Sequence, residues 1–158
     1  MTETMGTTDI NEAGATVRFE RTLAAPVGRV WEALTDESQL ARWLASGTFE
    51  ADAGGALAFD FGEGGTVTGE ITTWEPPNRL GYSWQIPGEQ ASTVEWTLRA
   101  DGAGTRLELV HSTLPEKMGL GYTAGWHAYL ERLEAVARDE EGPDFDPRFE
   151  ELLAVYAG

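Results

Sequence analysis

Apolar residues change period twice along the chain. Val17, Phe19 and Leu23 alternate with Arg18, Glu20 and Thr22, which predicts a strand with one buried face; Arg21 shares the apolar parity. Pro26 suits a first helical position, and Val27, Val30, Trp31 and Leu34 then recur at the i, i+3, i+4, i+7 spacing of a short helix. Asp36, with Gln39 three residues on, reads as a capping box. It opens a second short helix that buries Leu40, Trp43 and Leu44, with Gly47 as its stop. From 48 onward the period is two, with strands predicted over 48–51, 56–61, 66–74, 80–86, 92–99 and 105–113. Gly54-Gly55, Gly62 to Gly65, Pro76-Pro77-Asn78, Pro87-Gly88 and Asp101 to Gly104 separate them.

Short loops between successive strands imply an antiparallel meander. Leu80, Tyr82, Trp84 and Ile86 share one face of their strand, as do Val94, Trp96 and Leu98, then Leu107, Leu109 and His111. Arg79, Ser83, Gln85, Glu95, Thr97, Arg99, Arg106 and Glu108 hold the opposite positions, so the sheet has one aromatic face and one wet face. The cover is a helix from about 120 to 138, in which Tyr122, Trp126, Tyr129, Leu130, Leu133 and Val136 fall at helical spacing. At 1.5 Å per residue it is ~28 Å long and crosses several strands. Gly142-Pro143 ends it. An acidic linker, 139–146, leads to a short amphipathic helix, 147–157, carrying Phe149, Leu152, Leu153 and Tyr156. Residues 1–15 are polar and are expected to be a disordered leader before one domain, 16–158.

The predicted fold class is α+β: a curved antiparallel sheet of about seven strands, two short helices, and a long C-terminal helix across one face. The run Glu20 to Pro26 followed by Val30-Trp31-Glu32-Ala33-Leu34-Thr35, then Leu40-Ala41-Arg42-Trp43, Gly54-Gly55, and Gly125-Trp126-His127 with Leu130 and Leu133, resembles the START-like or SRPBCC superfamily. Within it, these pieces look like the branch named after the activator of the heat-shock-protein-90 ATPase. Glu151-Leu152 with Tyr156-Ala157 resembles a terminal helix of many members, so the likeness runs from Val17 to the end. The resemblance implies a helix-grip fold and a cleft between helix and sheet for an apolar or aromatic ligand. It implies no single activity, because the superfamily includes lipid carriers, hormone receptors, cyclases and co-chaperone domains.

Composition narrows the partners. The 158 residues carry 27 acids against 11 bases, a net charge of −16, with Lys117 the sole lysine. Such a chain repels phosphate backbones and anionic lipids, so neither nucleic acid nor membrane is expected. With no cysteine, thiolate nucleophiles, thiolate metal sites and disulfides are excluded. No apolar run reaches the ~20 residues of a bilayer span, and the start lacks a signal peptide's pattern, so a cytoplasmic location is expected.

The candidate ligand-binding residues are Tyr122, Trp126, Tyr129 and Leu130 on the long helix, facing Tyr82, Trp84, Trp96 and Leu109 on the sheet, with Trp43 and Phe59 or Phe61 closing the ends. Either these line a cavity or they fill a core. His111, inward by parity, is a candidate polar anchor, or a histidine satisfied by backbone or tyrosine. Arg21 is a second candidate anchor, for a ligand carboxylate or for an acid on a neighbouring element. His127 and Glu131, at i, i+4, have metal-ligand spacing but no third ligand, and are expected as a solvated pair. No cofactor, metal site or catalytic motif is predicted. Binding of a small apolar or aromatic molecule by a monomer or homodimer is the leading expectation. The alternatives are a cyclase/aromatase-like or hydratase-like enzyme using His111 as acid/base in the same pocket, and a chaperone-interaction module.

Overall fold

Alternating apolar residues leave a strand one side to cover, and here the covered sides join into one surface. A computed structural model describes residues 5–158. Eight strands form one antiparallel sheet: β1 (Thr7–Asn11), β2 (Gly14–Leu23), β3 (Ser46–Phe49), β4 (Ala56–Asp60), β5 (Thr66–Glu75), β6 (Arg79–Trp84), β7 (Ser92–Asp101) and β8 (Gly104–Leu114). Their spatial order is β1-β2-β8-β7-β6-β5-β4-β3. The meander from β3 to β8 is thus continued by the first strands, with Phe19 opposite Leu109 and Val17 opposite His111.

The predicted parity holds strand by strand. Leu80, Tyr82, Trp84, Val94, Trp96, Leu98, Leu107 and Leu109 are buried, whereas Arg79, Glu95, Thr97, Arg99 and Glu108 are exposed. The buried face lies under helix α3 (Gly119–Ala137), with α1 (Val27–Thr35) and α2 (Glu37–Trp43) closing one end. Sheet curvature is built into β5. Its pairing with β6 slips between Ile71 and Thr73, and a Cβ on Gly69 would lie 1.9 Å from the Ser83 carbonyl oxygen. Only a glycine lets the strands pass this closely.

Three expectations are corrected. Thr7 to Ala15 is not a disordered leader but part of the β1–β2 hairpin, which makes eight strands; the residues before Met5 lie outside the described residues. β1 escaped notice because all five of its residues are exposed, so it carries no hydrophobic alternation. Gly47 does not stop α2, which ends at Trp43 with the Leu44 N–H donating to the Leu40 carbonyl. Gly47 lies in β3 at φ 150, where a Cβ would sit 1.9 Å from the Ala58 carbonyl oxygen. The terminal helix, α4 (Phe145–Ala157), begins two residues before the expected position.

Asp36 caps the start of α2, but the expected capping box forms only by half: the Asp36 N–H donates to the Glu32 carbonyl, and Gln39 Oε1 accepts from Arg29 instead of reaching back to the cap. Asp36 accepts hydrogen bonds from the backbone N–H groups of Ser38 and Gln39, at 2.9 and 3.3 Å. The Ser38 hydroxyl and these amides hold its carboxyl below the usual carboxylate value. Asp36→Ala should therefore cost about 1 kcal/mol in urea unfolding at neutral pH. A depressed carboxyl contributes stability above its unfolded pKa and loses it as pH falls through the folded one. The gap between wild type and variant should accordingly close in acid. A gap that persists at pH 2 would mean that the ionised cap is not its source.

Candidate functional site

Four tryptophans enter the space between helix and sheet, and each brings an N–H that must find an acceptor away from water. Trp43 donates to the Ala33 carbonyl at 2.7 Å and Trp96 to the Tyr82 hydroxyl at 3.1 Å. Trp84 donates to the Tyr122 hydroxyl at 2.9 Å, and Trp126 to His111 Nδ1 at 3.0 Å. Two of these bonds join α3 to the sheet.

With Nδ1 accepting, the neutral imidazole of His111 carries its proton on Nε2, which donates to Ser92 Oγ at 2.7 Å. Ser92 in turn donates to the Trp84 carbonyl at 3.1 Å. His111 is fully buried, and burial pushes its pKa down to about 3. Both ring nitrogens are thus spent on protein partners.

Above this network a cleft of about 730 Å³ remains unfilled. The sheet side of its wall is Phe61, Val67, Trp84 and Ile86; α3 contributes Gly121, Tyr122, Gly125, Trp126 and Tyr129. The third side is α4, through Phe145, Asp146 and Phe149, and Glu63, Lys117 and Met118 complete the wall. Tyr129 stacks on Phe145 at 4.2 Å between ring centroids, and Phe145 on Phe149 at 5.4 Å.

α4 reaches this position because the back of α3 is made of small residues. Ala124 and Ala128 are fully buried against Leu152, with Phe149, Leu153 and Tyr156 around them. Arg148 grips Glu131 through two bonds of 2.7 Å. The Tyr156 hydroxyl accepts from the Gly6 N–H at 2.8 Å and bonds His127 Nδ1 at 2.7 Å. Arg132 donates to the carbonyls of Trp43, Arg42 and Pro143, fastening α2 and the linker before α4 to α3.

Five of the sequence-derived site residues meet at the cleft: Phe61, Trp84, Tyr122, Trp126 and Tyr129. Trp43, Phe59, Tyr82, Trp96, Leu109 and Leu130 lie beneath it as buried core. Two polar anchors are corrected. His111 has the expected inward parity but no nitrogen left for a ligand, and without one it cannot serve as acid or base. Arg21 is not on the cleft wall; its guanidinium lies 5.1 Å from the centre of the Phe19 ring and donates to the Glu20 carbonyl. His127, expected in solvent, is fully buried under α4, its Nε2 3.6 Å from Glu131. Among the described residues no three metal-ligating side chains converge. The α4 wall went unread, although Phe145 and Phe149 at i, i+4 opposite Ala124 and Ala128 carried its signal.

The elements that build the grip, from the turn before α1 to the end of α3, match over residues 24–138 a family model described as activator of Hsp90 ATPase homolog 1-like protein. The chain belongs to that family. Solved structures agree in fold. CalU16 from Micromonospora echinospora is 29% identical, with a TM-score of 0.76, covering 98% of this chain and 95% of its own. DynU16, a protein in the dynemicin biosynthetic locus, is 29% identical with a TM-score of 0.73, covering 80% of this chain and 48% of its own. The Aha1 dimer from Colwellia psychrerythraea, at 17% identity and a TM-score of 0.69, covers 77% of this chain and 95% of its own, and shares the fold. Among curated proteins none matches the chain. Among the described residues no helix is long and apolar enough to cross a membrane. This member of the activator-like family has α4 outside the matched segment, yet α4 supplies one wall of its cleft.

The His111 network makes a pH prediction. Its folded pKa lies below the ordinary 6.5, so between about pH 6.5 and 3 the unfolded chain binds a proton that the folded one refuses. That contribution is complete above 6.5 and is lost progressively as pH falls toward 3. The imidazole resonances of His111 should show no titration between pH 8 and 5; a midpoint near 6.5 would mean the ring is open to solvent.

Proposed function

We propose that the cleft between α3, the sheet and α4 binds a small apolar or aromatic molecule. The observation that carries this reading is the wall itself: rings from three elements surround about 730 Å³ that the side chains leave open. Pockets of this size with apolar walls and a few polar groups suit small organic ligands. A closed core of the same composition would fill such a space, since each lost methylene contact costs stability. Membership of the family supports the reading, and a neighbour from a biosynthetic locus is compatible with a small organic ligand. The binding unit we propose is a cytoplasmic monomer; Phe149, Leu152 and Tyr156, the apolar residues that a second copy could have covered, pack on α3 of the same chain.

Gly121 gives a direct test. It lines the cleft, and a Cβ built there meets nothing within 4 Å. Gly121→Leu should place a side chain in the open space with no loss of urea stability, since removing glycine from a helix is favourable in itself. The neutral dye N-phenyl-1-naphthylamine should brighten on mixing with the wild-type protein and should not brighten with Gly121→Leu. Equal dye uptake by both proteins would place the binding elsewhere and remove the proposal's basis.

A further inference from the structure

The cleft holds two hydroxyl donors for which the described residues supply no acceptor. One lone pair of the Tyr122 oxygen is taken by the Trp84 N–H, which leaves the phenol proton to donate outward. Among the described residues the Tyr129 hydroxyl has no hydrogen-bond partner. The two tyrosines lie seven residues apart on one face of α3, with Trp126 between them, and both line the cleft. Burial pushes both phenol pKa values up, that of Tyr129 to about 12 despite the opposing charge of Arg132. Both therefore remain protonated donors at any physiological pH.

The charged groups on the wall limit what can accept from them. They are Glu63, Asp146 and the exposed Lys117, two carboxylates to one ammonium. Arg132, beyond Tyr129, has its guanidinium engaged by three carbonyls. A carboxylate drawn into the cleft would lose its water and meet two like charges, and the nearby Arg132, whose charge does favour an anion at Tyr129, has its N–H groups taken by carbonyls. A cation would meet ring faces and acids, but would leave both phenol protons without acceptors. A plain hydrocarbon would leave them so too. A carbonyl oxygen has two lone pairs and no charge.

We infer that the cleft selects a neutral, ring-bearing ligand with a hydrogen-bond-accepting oxygen, and that the Tyr122 and Tyr129 hydroxyls are its specificity determinants. This rests on the reading of the cleft as a ligand site, and it names the ligand class.

Four tricyclic probes of similar size separate the possibilities: 9-fluorenone, fluorene, fluorene-9-carboxylate and N-methylacridinium, each titrated by displacement of the neutral dye. Fluorenone should bind about five- to tenfold more tightly than fluorene, the worth of one net hydrogen bond, and more tightly than either ion. Tyr129→Phe, which breaks no bond within the protein, should narrow the ketone's advantage from both sides, weakening fluorenone and strengthening fluorene, which no longer buries an unpaired hydroxyl. Tyr122→Phe should do the same, with its melting temperature measured alongside because Trp84 loses its acceptor. Equal affinity for fluorenone and fluorene, or a preference for either ion, would overturn the inference while leaving the cleft a binding site. Failure of every probe, and of the dye, to bind would overturn both.

Discussion

The Trp126–His111–Ser92 chain is the constraint on which the rest of the molecule depends. An indole and an imidazole can be buried between a helix and a sheet only if their polar atoms find partners, and here Trp126 and His111 partner one another. Once Trp126 donates to His111 Nδ1 and His111 to Ser92, α3 is held at one height above β7 and β8. The Trp84–Tyr122 bond fixes a second point along the same helix. With both points set, α3 cannot sink onto the sheet to close the space beside Tyr129. The open cleft is thus a product of satisfied polar groups, and its least exposed ring, Trp126, is one of the tethered ones.

A second consequence is that α3 is a middle layer. One side meets the aromatic sheet; the other, lined by Ala124, Gly125 and Ala128, meets α4. The two contacts differ in kind. The sheet side is a broad aromatic core, whereas α4 rests on a small apolar cluster and on polar clamps, Arg148–Glu131 and Tyr156–His127. Burying a histidine this way is workable because a phenol meets its Nδ1 and a carboxylate lies near its Nε2. The net charge of −16 makes each of the few arginines conspicuous, and Arg29, Arg132 and Arg148 are all spent on helix positions.

Strand parity, the helix stripe and the Asp36 cap were legible because each reports burial through a simple period. That is why Trp84, Tyr122, Trp126 and Tyr129 could be assigned to one space from sequence. What parity cannot report is the partner of a buried polar group. His111 was placed inward correctly, but whether its nitrogens face a ligand or Ser92 and Trp126 depends on three elements that meet only in the fold. β1 was invisible because backbone bonds and the Thr8–Thr123 contact hold it, and no buried face does. His127 was misplaced because one helix face was taken to be the covered one. The alanines on the other face were weak evidence of a neighbour, since alanine also suits an exposed helix.

The pairing of β2 with β8 sets a condition on how the chain reaches this state. Val17 must find His111, and Phe19 must find Leu109, across nearly the whole domain. Loop closure over such a span is paid before its contacts are gained, which slows folding in proteins dominated by distant pairings. During synthesis, β2 leaves the ribosome long before its partner exists, and α3 follows later still. The apolar side of β3 to β7 is then uncovered, with Trp84 and Trp96 in view of other chains. A chain with a net charge of −16 repels its own copies, which opposes association through that uncovered face until the last strand closes the sheet and α3 covers it.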